Sequence, residues 1–361
     1  MAVELGGETT DMSDFSKTFL LENGRPGSRV FLAAFGKHPG WDDHVEDLGL
    51  ETQSLIQAKT LLYIQGIGGQ TDSGAWEKLD ATQVMPVFNH AFLWRRNNQF
   101  LIGKMWPSSD GKGRTRYPMI LCAHCLNLPL AWGLLTVGPQ LEVIQKKCEA
   151  ADSADDVKSI LTAAAADLRN RAASTASQTV TLSPADRRKF VESAELGPER
   201  EGLCRILHQV ESQMTSYSKR EHGTKLRDLR PQQIRLPRGA DSVWQSLLLW
   251  DQVFQIVLLR AAPVLLVASI DHPWLDATVG EPSKHEFFCL RASDRNIPPA
   301  SSIPYNFDES IKQEAGKVVA ALLSDDATQA AGPPGDSTPS SKGGIGSFFA
   351  KALGKLKSNP P

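Results

Sequence analysis

The sequence has few cysteines, and their arrangement does not predict disulfides. Its 361 residues include five, an odd number, without the spacing of a disulfide framework. The first twenty residues also lack a basic segment followed by an apolar one, which is the pattern of a secretory signal. Reduced thiols and the lack of a signal predict a cytoplasmic protein.

Net charge and long hydrophobic runs are scarce as well. The formal net charge is -2 at pH 7, which gives no long-range attraction to nucleic acid, so no nucleic-acid partner is predicted. The most apolar stretch, Val243 to Leu259, is interrupted by Gln245, Asp251, Gln252 and Gln255. Charge and amides at this density are costly in hydrocarbon, so the stretch predicts a buried helix.

Sequence motifs of common enzymes are absent too. There is no GxSxG nucleophile motif, no GxxxxGK[ST] phosphate loop and no GxGxxG following a strand. Cys122 and Cys125 form a single CxxC pair on a predicted strand, where residues three apart point to opposite faces. We therefore predict buried thiols there and no cofactor.

Changes in composition divide the chain into three parts. Residues 1–27 predict a flexible arm, residues 28–323 a folded α/β domain, and residues 324–361 a disordered Pro/Gly/Ser linker with a short tail. In the tail, residues 345–357 combine apolar side chains at helical spacing with three lysines. This basic amphipathic segment predicts weak contact with a membrane surface or a partner's groove, or else only a soluble tail.

Hydrophobic periodicity within the folded part predicts alternating strands and helices. A helix is expected over 50–65, ended by Gly66, Gly68 and Gly69, and a largely helical segment over about 139–240. A hairpin turn is expected at Asn97-Asn98. The predicted strands cover 30–35, 84–95, 99–106, 117–126, 263–270 and 285–291. About six strands with helices between them predict a layered α/β fold with a mixed, largely antiparallel sheet.

The stretch FGKHPGWDDHVEDL concentrates groups that can bind metals or transfer protons. His38, Asp42, Asp43 and His44 could converge on a metal ion, with Arg114 or Arg116 holding an anionic substrate. That interpretation makes the protein a metal-dependent hydrolase. The alternative is a solvated turn, because Gly, Pro and Asp favour turns and this spacing matches no known ligand motif.

Two motifs in this region resemble those of a known family. The first is Gly36-Lys37-x-Pro39-x-x-x-Asp43-x-Val45, and the second is Gly103-x-x-x-Pro107-Ser108-x-Asp110-x-x-Gly113-Arg114, followed by Pro118-Met119. They are similar to the GKxPxxGDFV and GxxxPSxDxxGR signatures of the type VI secretion-associated TagF/ImpM family. Asp42 stands where the family has Gly and His44 where it has Phe. The resemblance covers about a quarter of the chain.

Membership of this family would imply a three-layer α/β/α sandwich and no enzymatic activity. It would also imply a cytoplasmic accessory protein that regulates type VI secretion after translation by binding an FHA-type scaffold protein. No metal or cofactor is implied. The expected recognition residues are those of the two motifs, together with Asp42, which stands where the family has Gly. They are Gly36, Lys37, Pro39, Asp42, Asp43, Val45, Gly103, Pro107, Ser108, Asp110, Gly113, Arg114 and Pro118.

The residues themselves predict how two such loops could form one surface. Asp110 can close the Asp-Gly turn through its own backbone, and Arg114 can pair with Asp43 or Asp42 if the loops meet. Asp43 is also expected to cap the helix that follows it, with Pro39 rigidifying the approach.

Overall fold

The computed structural model describes residues 27–96, 99–174, 180–194, 200–218, 226–259 and 261–324. Nearly all of the predicted N-terminal arm lies outside these residues, as do the linker and the basic amphipathic tail. The expected turn at Asn97-Asn98 also lies outside them. In the described part of the chain, no helix has the length and apolar character needed to cross a membrane.

Seven strands form one sheet, and every strand pair in it is antiparallel. The order is β1-β4-β3-β2-β6-β7-β5. A mixed sheet was therefore the wrong prediction, since the strands pair through antiparallel neighbours throughout the described residues. The strands are β1 Arg29–Gly36, β2 His90–Arg96, β3 Gln99–Trp106, β4 Met119–Leu126, β5 Gln232–Pro237, β6 Val264–Ser269 and β7 Trp274–Val279.

Both faces of the sheet are buried, which explains the continuous apolar runs of its strands. Along β1, Leu32 and Ala34 pack into one hydrophobic cluster, whereas Ala33 and Phe35 pack into another on the opposite face. Cys122 and Cys125 are likewise divided between the two clusters, as their spacing predicted.

Helices of the described residues cover these two faces. Their bounds are α1 Gln53–Ala58, continued by a π-helix Lys59–Gly68; α2 Gly69–Asp72; α3 Leu130–Trp132, continued by a π-helix Gly133–Val137; α4 Gly138–Glu149; α5 Ala154–Ser174; α6 Pro184–Ser193; α7 Glu201–Gln213; α8 Thr215–Ser218; α9 Val243–Val257; and α10 Glu309–Leu323. The first cluster holds residues of α4 to α7, α9 and α10, and the second holds those of α1 and its π-helical continuation.

Helices α5 and α6 each begin directly after a serine that caps the helix. The Ser153 hydroxyl accepts a hydrogen bond of 3.1 Å from the amide of Asp156, and Ser183 does the same for Asp186 at the start of α6. The glycines after α1 were interpreted wrongly, because the helix runs on through them to Asp72. A Cβ at Gly66 would lie 2.7 Å from the Phe287 ring, so this glycine permits close packing.

The C-terminal part of the sheet differs from the prediction. Residues 285–291 do not form a strand: a 3-10 helix spans Glu286–Leu290, because the Glu286 carboxylate accepts a 2.6 Å hydrogen bond from the Ser283 amide and starts a turn. Strands β5 and β7 were not predicted from the sequence. Strand β5 lies inside the segment predicted to be helical, and β2 begins at His90 instead of residue 84.

Candidate functional site

The two motif-bearing loops lie side by side at one end of the sheet. Residues 37–47 follow β1 and residues 107–118 join β3 to β4; we call them the paired loops. Because β1 and β4 are neighbours, the Lys37 amide can donate a 3.1 Å hydrogen bond to the carbonyl of Pro118. The Gly111 amide donates another, of 2.7 Å, to the carbonyl of Trp41. The sheet topology thus brings the two motifs together.

A buried lysine lies at the centre of the paired loops. The Lys37 side chain is only 5% exposed, and its Nζ lies 2.6 Å from Asp43 Oδ1 and 2.8 Å from Asp110 Oδ2. It therefore joins a carboxylate from its own loop to one from the other loop. A buried ammonium is costly unless it is paired in this way.

The Asp110 carboxylate is fully buried and accepts hydrogen bonds with both oxygens. Its Oδ1 accepts 3.0 Å bonds from the amides of Lys112 and Arg114, and its Oδ2 accepts from Lys37 and from Arg114 Nε at 2.6 Å. Burial alone would raise the pKa of Asp110, but the bonds from Lys37 and Arg114 outweigh it and hold this pKa well below its usual range. The predicted Asp-Gly turn is formed, with Gly113 at a φ of 75°.

Arg114 connects the loops on the solvent side. Its Nη2 donates a 2.9 Å bond to the Asp42 carbonyl and a 3.0 Å bond to Asp43 Oδ1. The hydrogen bond from Lys37 lowers the pKa of Asp43, and the nearby Arg114 adds to this effect. Lys37, Asp43, Asp110 and Arg114 thus form one alternating network of charges, which we call the loop network.

Other motif residues set the backbone around the loop network. Gly36 has a φ of 122°, and a Cβ there would lie 2.2 Å from the Pro118 carbonyl oxygen. A Cβ at Gly103 would lie 2.1 Å from the Phe92 ring, so Gly103 is needed for packing inside the sheet. Val45 is buried and its amide donates a 2.8 Å bond to the Gly36 carbonyl.

Several motif residues face outward instead. Pro39, Asp42 and Pro107 are exposed, and Ser108 is half-buried. The predicted helix-capping role of Asp43 is wrong: α1 is capped by Thr52, whose hydroxyl accepts a hydrogen bond from the Leu55 amide, and Asp43 is held by Lys37 and Arg114.

The two histidines of the first loop point to different partners. His38 is buried; its Nδ1 accepts a 3.0 Å bond from the Gly40 amide, so its Nε2 carries the proton and donates to the Cys148 carbonyl at 2.8 Å. His44 is half-exposed, with its Nδ1 2.8 Å from the Tyr63 hydroxyl. Burial and the Lys37 ammonium lower the pKa of His44.

The residues proposed for a metal site are therefore spread over different environments. In the described ranges, no group of three or more His, Cys, Asp and Glu side chains is placed to hold a metal ion. Arg116, the alternative anion-binding residue, donates to the Thr71 carbonyl and lies 3.5 Å from the Glu77 carboxylate, on the side of α2.

An aromatic group that was not predicted from the sequence lies beside the loop network. The rings of Tyr63 and Tyr117 both meet the His44 ring edge-on, with centroids 5.7 and 5.5 Å away. Tyr63 comes from the π-helix after α1, and on the same helix Ile64 is 54% exposed. No local signal could reveal this contact, because the helix and the loops meet only in the folded chain. Tyr63 is almost completely buried, so the aromatic rings that this face presents next to charge are those of His44 and Tyr117.

Known proteins show little similarity to this chain. No protein-family model matches the chain, and no curated protein matches it. Among solved structures, the chain is similar to the crystal structure of PA0076 from Pseudomonas aeruginosa PAO1, with 23% sequence identity and a TM-score of 0.28. The similarity covers 38% of this chain and 62% of PA0076, so the chain spans about three fifths of that protein. A likeness this partial carries no argument about function.

Proposed function

We propose that the protein is a non-enzymatic accessory protein that binds another protein through the face formed by the paired loops. On the motif resemblance, the system is a type VI-like secretion apparatus in the bacterial cytoplasm, the partner is its FHA-type scaffold protein, and binding regulates assembly after translation. The observation that carries the proposal is the loop network, in which one buried lysine and one exposed arginine hold both motifs in a single surface.

The arrangement of charge supports binding over chemistry. All four network members bond across the two loops, Lys37 to Asp110 and Arg114 to Asp43. Both oxygens of Asp110 are occupied by Lys37, Arg114 and backbone amides. Groups saturated in this way stiffen a surface and reduce the entropy lost on binding. The exposed residues around them, such as Asp42 and Lys112, are available to a partner.

We propose the three-layer α/β/α arrangement on separate grounds. Each face of the sheet carries its own hydrophobic cluster, and each cluster includes residues of helices. An α/β sheet that is apolar on both faces has to be covered on both faces.

The direct test is capture of the purified FHA-domain scaffold protein, measured by biolayer interferometry. The double variant Asp42→Arg and Lys112→Glu reverses two exposed charges, and we expect it to weaken binding about tenfold or more. Thermal unfolding should be unchanged, because both side chains face solvent. Equal binding by this variant and the wild type would refute the proposed surface.

A matched control separates this surface from general electrostatics. Arg188→Glu reverses an exposed charge on α6, away from the paired loops, and should leave capture unaffected. If both variants lose binding equally, the loss does not depend on the paired loops, and they are not the recognition surface.

The metal-dependent hydrolase formed from His38, Asp42, Asp43 and His44 remains the alternative, and metal analysis distinguishes it. It requires stoichiometric zinc or manganese in the purified protein that is lost in Asp43→Ala. No specific contact favours it, since both ring nitrogens of His38 are occupied by the Gly40 amide and the Cys148 carbonyl.

A further inference from the structure

An apolar cleft opens between four helices, remote in sequence from the paired loops. It is an open groove formed by α7, α8, α9 and α10, with about 470 Å³ of space that includes open solvent. Its exposed lining is mainly apolar, with Val210 from α7, Val257 from α9, and Ile311 and Val318 from α10. A cleft of this character fits an apolar anchor side chain better than a polar ligand.

Two acidic side chains accompany this apolar surface. Glu211 on α7 and Glu314 on α10 both line the cleft. Glu314 also pairs with Lys317, with 2.6 Å between Oε1 and Nζ, and Glu211 is half-buried. The cleft therefore suits a segment that combines apolar anchors with positive charge.

We propose that the C-terminal segment 345–357 of this same chain docks in the cleft. Its apolar residues fall at i, i+3, i+4, i+7, i+8 and i+11, the spacing of one helical face, and they include the adjacent pair Phe348 and Phe349. Three lysines and no acidic residue accompany them. Phenylalanine supplies the anchor, and the lysines supply charge opposite to that of Glu211 and Glu314.

The other segments outside the described residues fit the cleft less well. Residues 219–225, which follow α8 directly, read KREHGTK and contain no apolar side chain. Residues 1–26 do contain apolar side chains, but they carry five acidic residues against one lysine and one arginine. Like charge would oppose their docking beside Glu211 and Glu314. Composition and charge together select the C-terminal segment.

The point of attachment makes docking within one molecule geometrically easy. Helix α10 forms a wall of the cleft and ends at Leu323, five residues after the lining residue Val318, so the chain leaves near the cleft. Nine residues of helix separate Leu323 from Glu314, a distance of about 14 Å. The 21 residues 324–344 can span up to about 70 Å. A tether of this length gives an effective concentration on the order of millimolar, so weak contacts suffice.

Photocrosslinking in the full-length protein tests this proposal. Phe349 is replaced by p-benzoylphenylalanine, the dilute protein is irradiated, and crosslinked peptides are identified by mass spectrometry. We expect crosslinks within one molecule to the peptides that carry Val210, Ile311 and Val318, with a yield that does not change on dilution. Crosslinks confined to another face, or only between molecules, would overturn the proposal.

Charge reversal provides the control. Glu211→Lys with Glu314→Lys should reduce the crosslink several-fold, and adding Lys351→Glu with Lys355→Glu should restore it. Glu192→Lys, an exposed site on α6, should have no effect. Failure of the restoring pair would refute the role of charge. The last outcome concerns membranes. If no crosslink to the cleft forms and the protein co-floats with phosphatidylcholine–phosphatidylserine vesicles, docking is refuted and the segment contacts a membrane.

Discussion

The Nζ atom of Lys37 lies 2.8 Å from Oδ2 of Asp110, although the two residues are 73 positions apart in the chain. Both side chains are almost completely buried. The pair is the inner half of the loop network, and Arg114, which is half-exposed, is its outer half. A partner that binds this face therefore contacts two loops that a buried ion pair holds in place.

Removing the buried ammonium should destabilise the protein. Lys37→Met keeps the length of the side chain but takes one donor each from Asp43 and Asp110. We expect the free energy of unfolding to fall by about 2 kcal/mol, the usual range for a hydrogen bond to a charged group. Urea unfolding monitored by circular dichroism measures the change.

The matched control is Lys112→Met in the same loop region. The Lys112 side chain is exposed, so its loss should change the unfolding free energy by less than about 0.5 kcal/mol. Equal effects of the two substitutions would show that the Lys37 contacts add nothing to stability.

The loop network should also make the free energy of unfolding depend on pH under acidic conditions. The pKa of Asp110 is lowered in the folded protein because hydrogen bonds from Lys37 and Arg114 outweigh the opposite effect of burial. The stability from this group is therefore present above its ordinary pKa of about 4 and is lost as the pH falls toward the lowered value. Asp110→Asn should be less stable than wild type at pH of about 6, and the difference should shrink below pH of about 4. A difference that stays constant in urea titrations across this range contradicts the assignment.

Local sequence patterns predicted the strands and helices that are continuously apolar. They did not predict those whose formation depends on contacts between residues far apart in the chain. Strands β1, β3 and β4 and helix α9 were predicted correctly from their apolar runs. Most of their side chains are buried, so the apolar sequence alone indicates them. Strand β5, with the sequence QQIRLP, has a buried Arg235. Its guanidinium is paired with Asp276 of β7 at 2.8 Å, a partner that no local window contains.

The candidate site shows the same division. The meeting of Arg114 with the first loop was predictable from opposite charges in two motifs, and so was the turn closed by Asp110. The capping role given to Asp43 was wrong because α1 begins only after Thr52, and Lys37 competes for the carboxylate. That Lys37 would be the buried centre could not be predicted, since lysine is rarely buried and its burial here depends on two distant carboxylates.

Two glycines offer a comparison of strained and unstrained backbone. Gly36→Ala places a Cβ at a φ of 122° and 2.2 Å from the Pro118 carbonyl oxygen, so we expect a loss of about 2 kcal/mol or more in unfolding free energy. Gly69→Ala lies at a φ of -60° with no atom within 4 Å of the new Cβ, and should raise stability by about 0.5–1 kcal/mol. Chemical denaturation of both variants tests the pair, and a tolerated Gly36→Ala would mean that the contact of β1 with Pro118 can shift.

A buried histidine between β4 and α1 gives a second prediction of pH dependence, in a milder range. His124 is buried, with its Nδ1 2.9 Å from the Thr52 hydroxyl and its Nε2 2.8 Å from Gln99 Oε1. Burial, with a smaller effect of Arg29, lowers the pKa of His124 to about 3. The unfolded chain binds this proton below pH of about 6.5 and the folded protein does not, so stability falls as the pH decreases from about 6.5 toward 3.

The slope of unfolding free energy against pH measures this effect. One such histidine contributes at most about 1.4 kcal/mol per pH unit, and His124→Gln should remove its share between pH of about 6 and about 4.5. If His124→Gln lowers stability by the same amount at every pH, the histidine takes up its proton in the folded protein as well. The hydrogen bonds to Thr52 and Gln99 would then have to rearrange on protonation, and the cap of α1 with them.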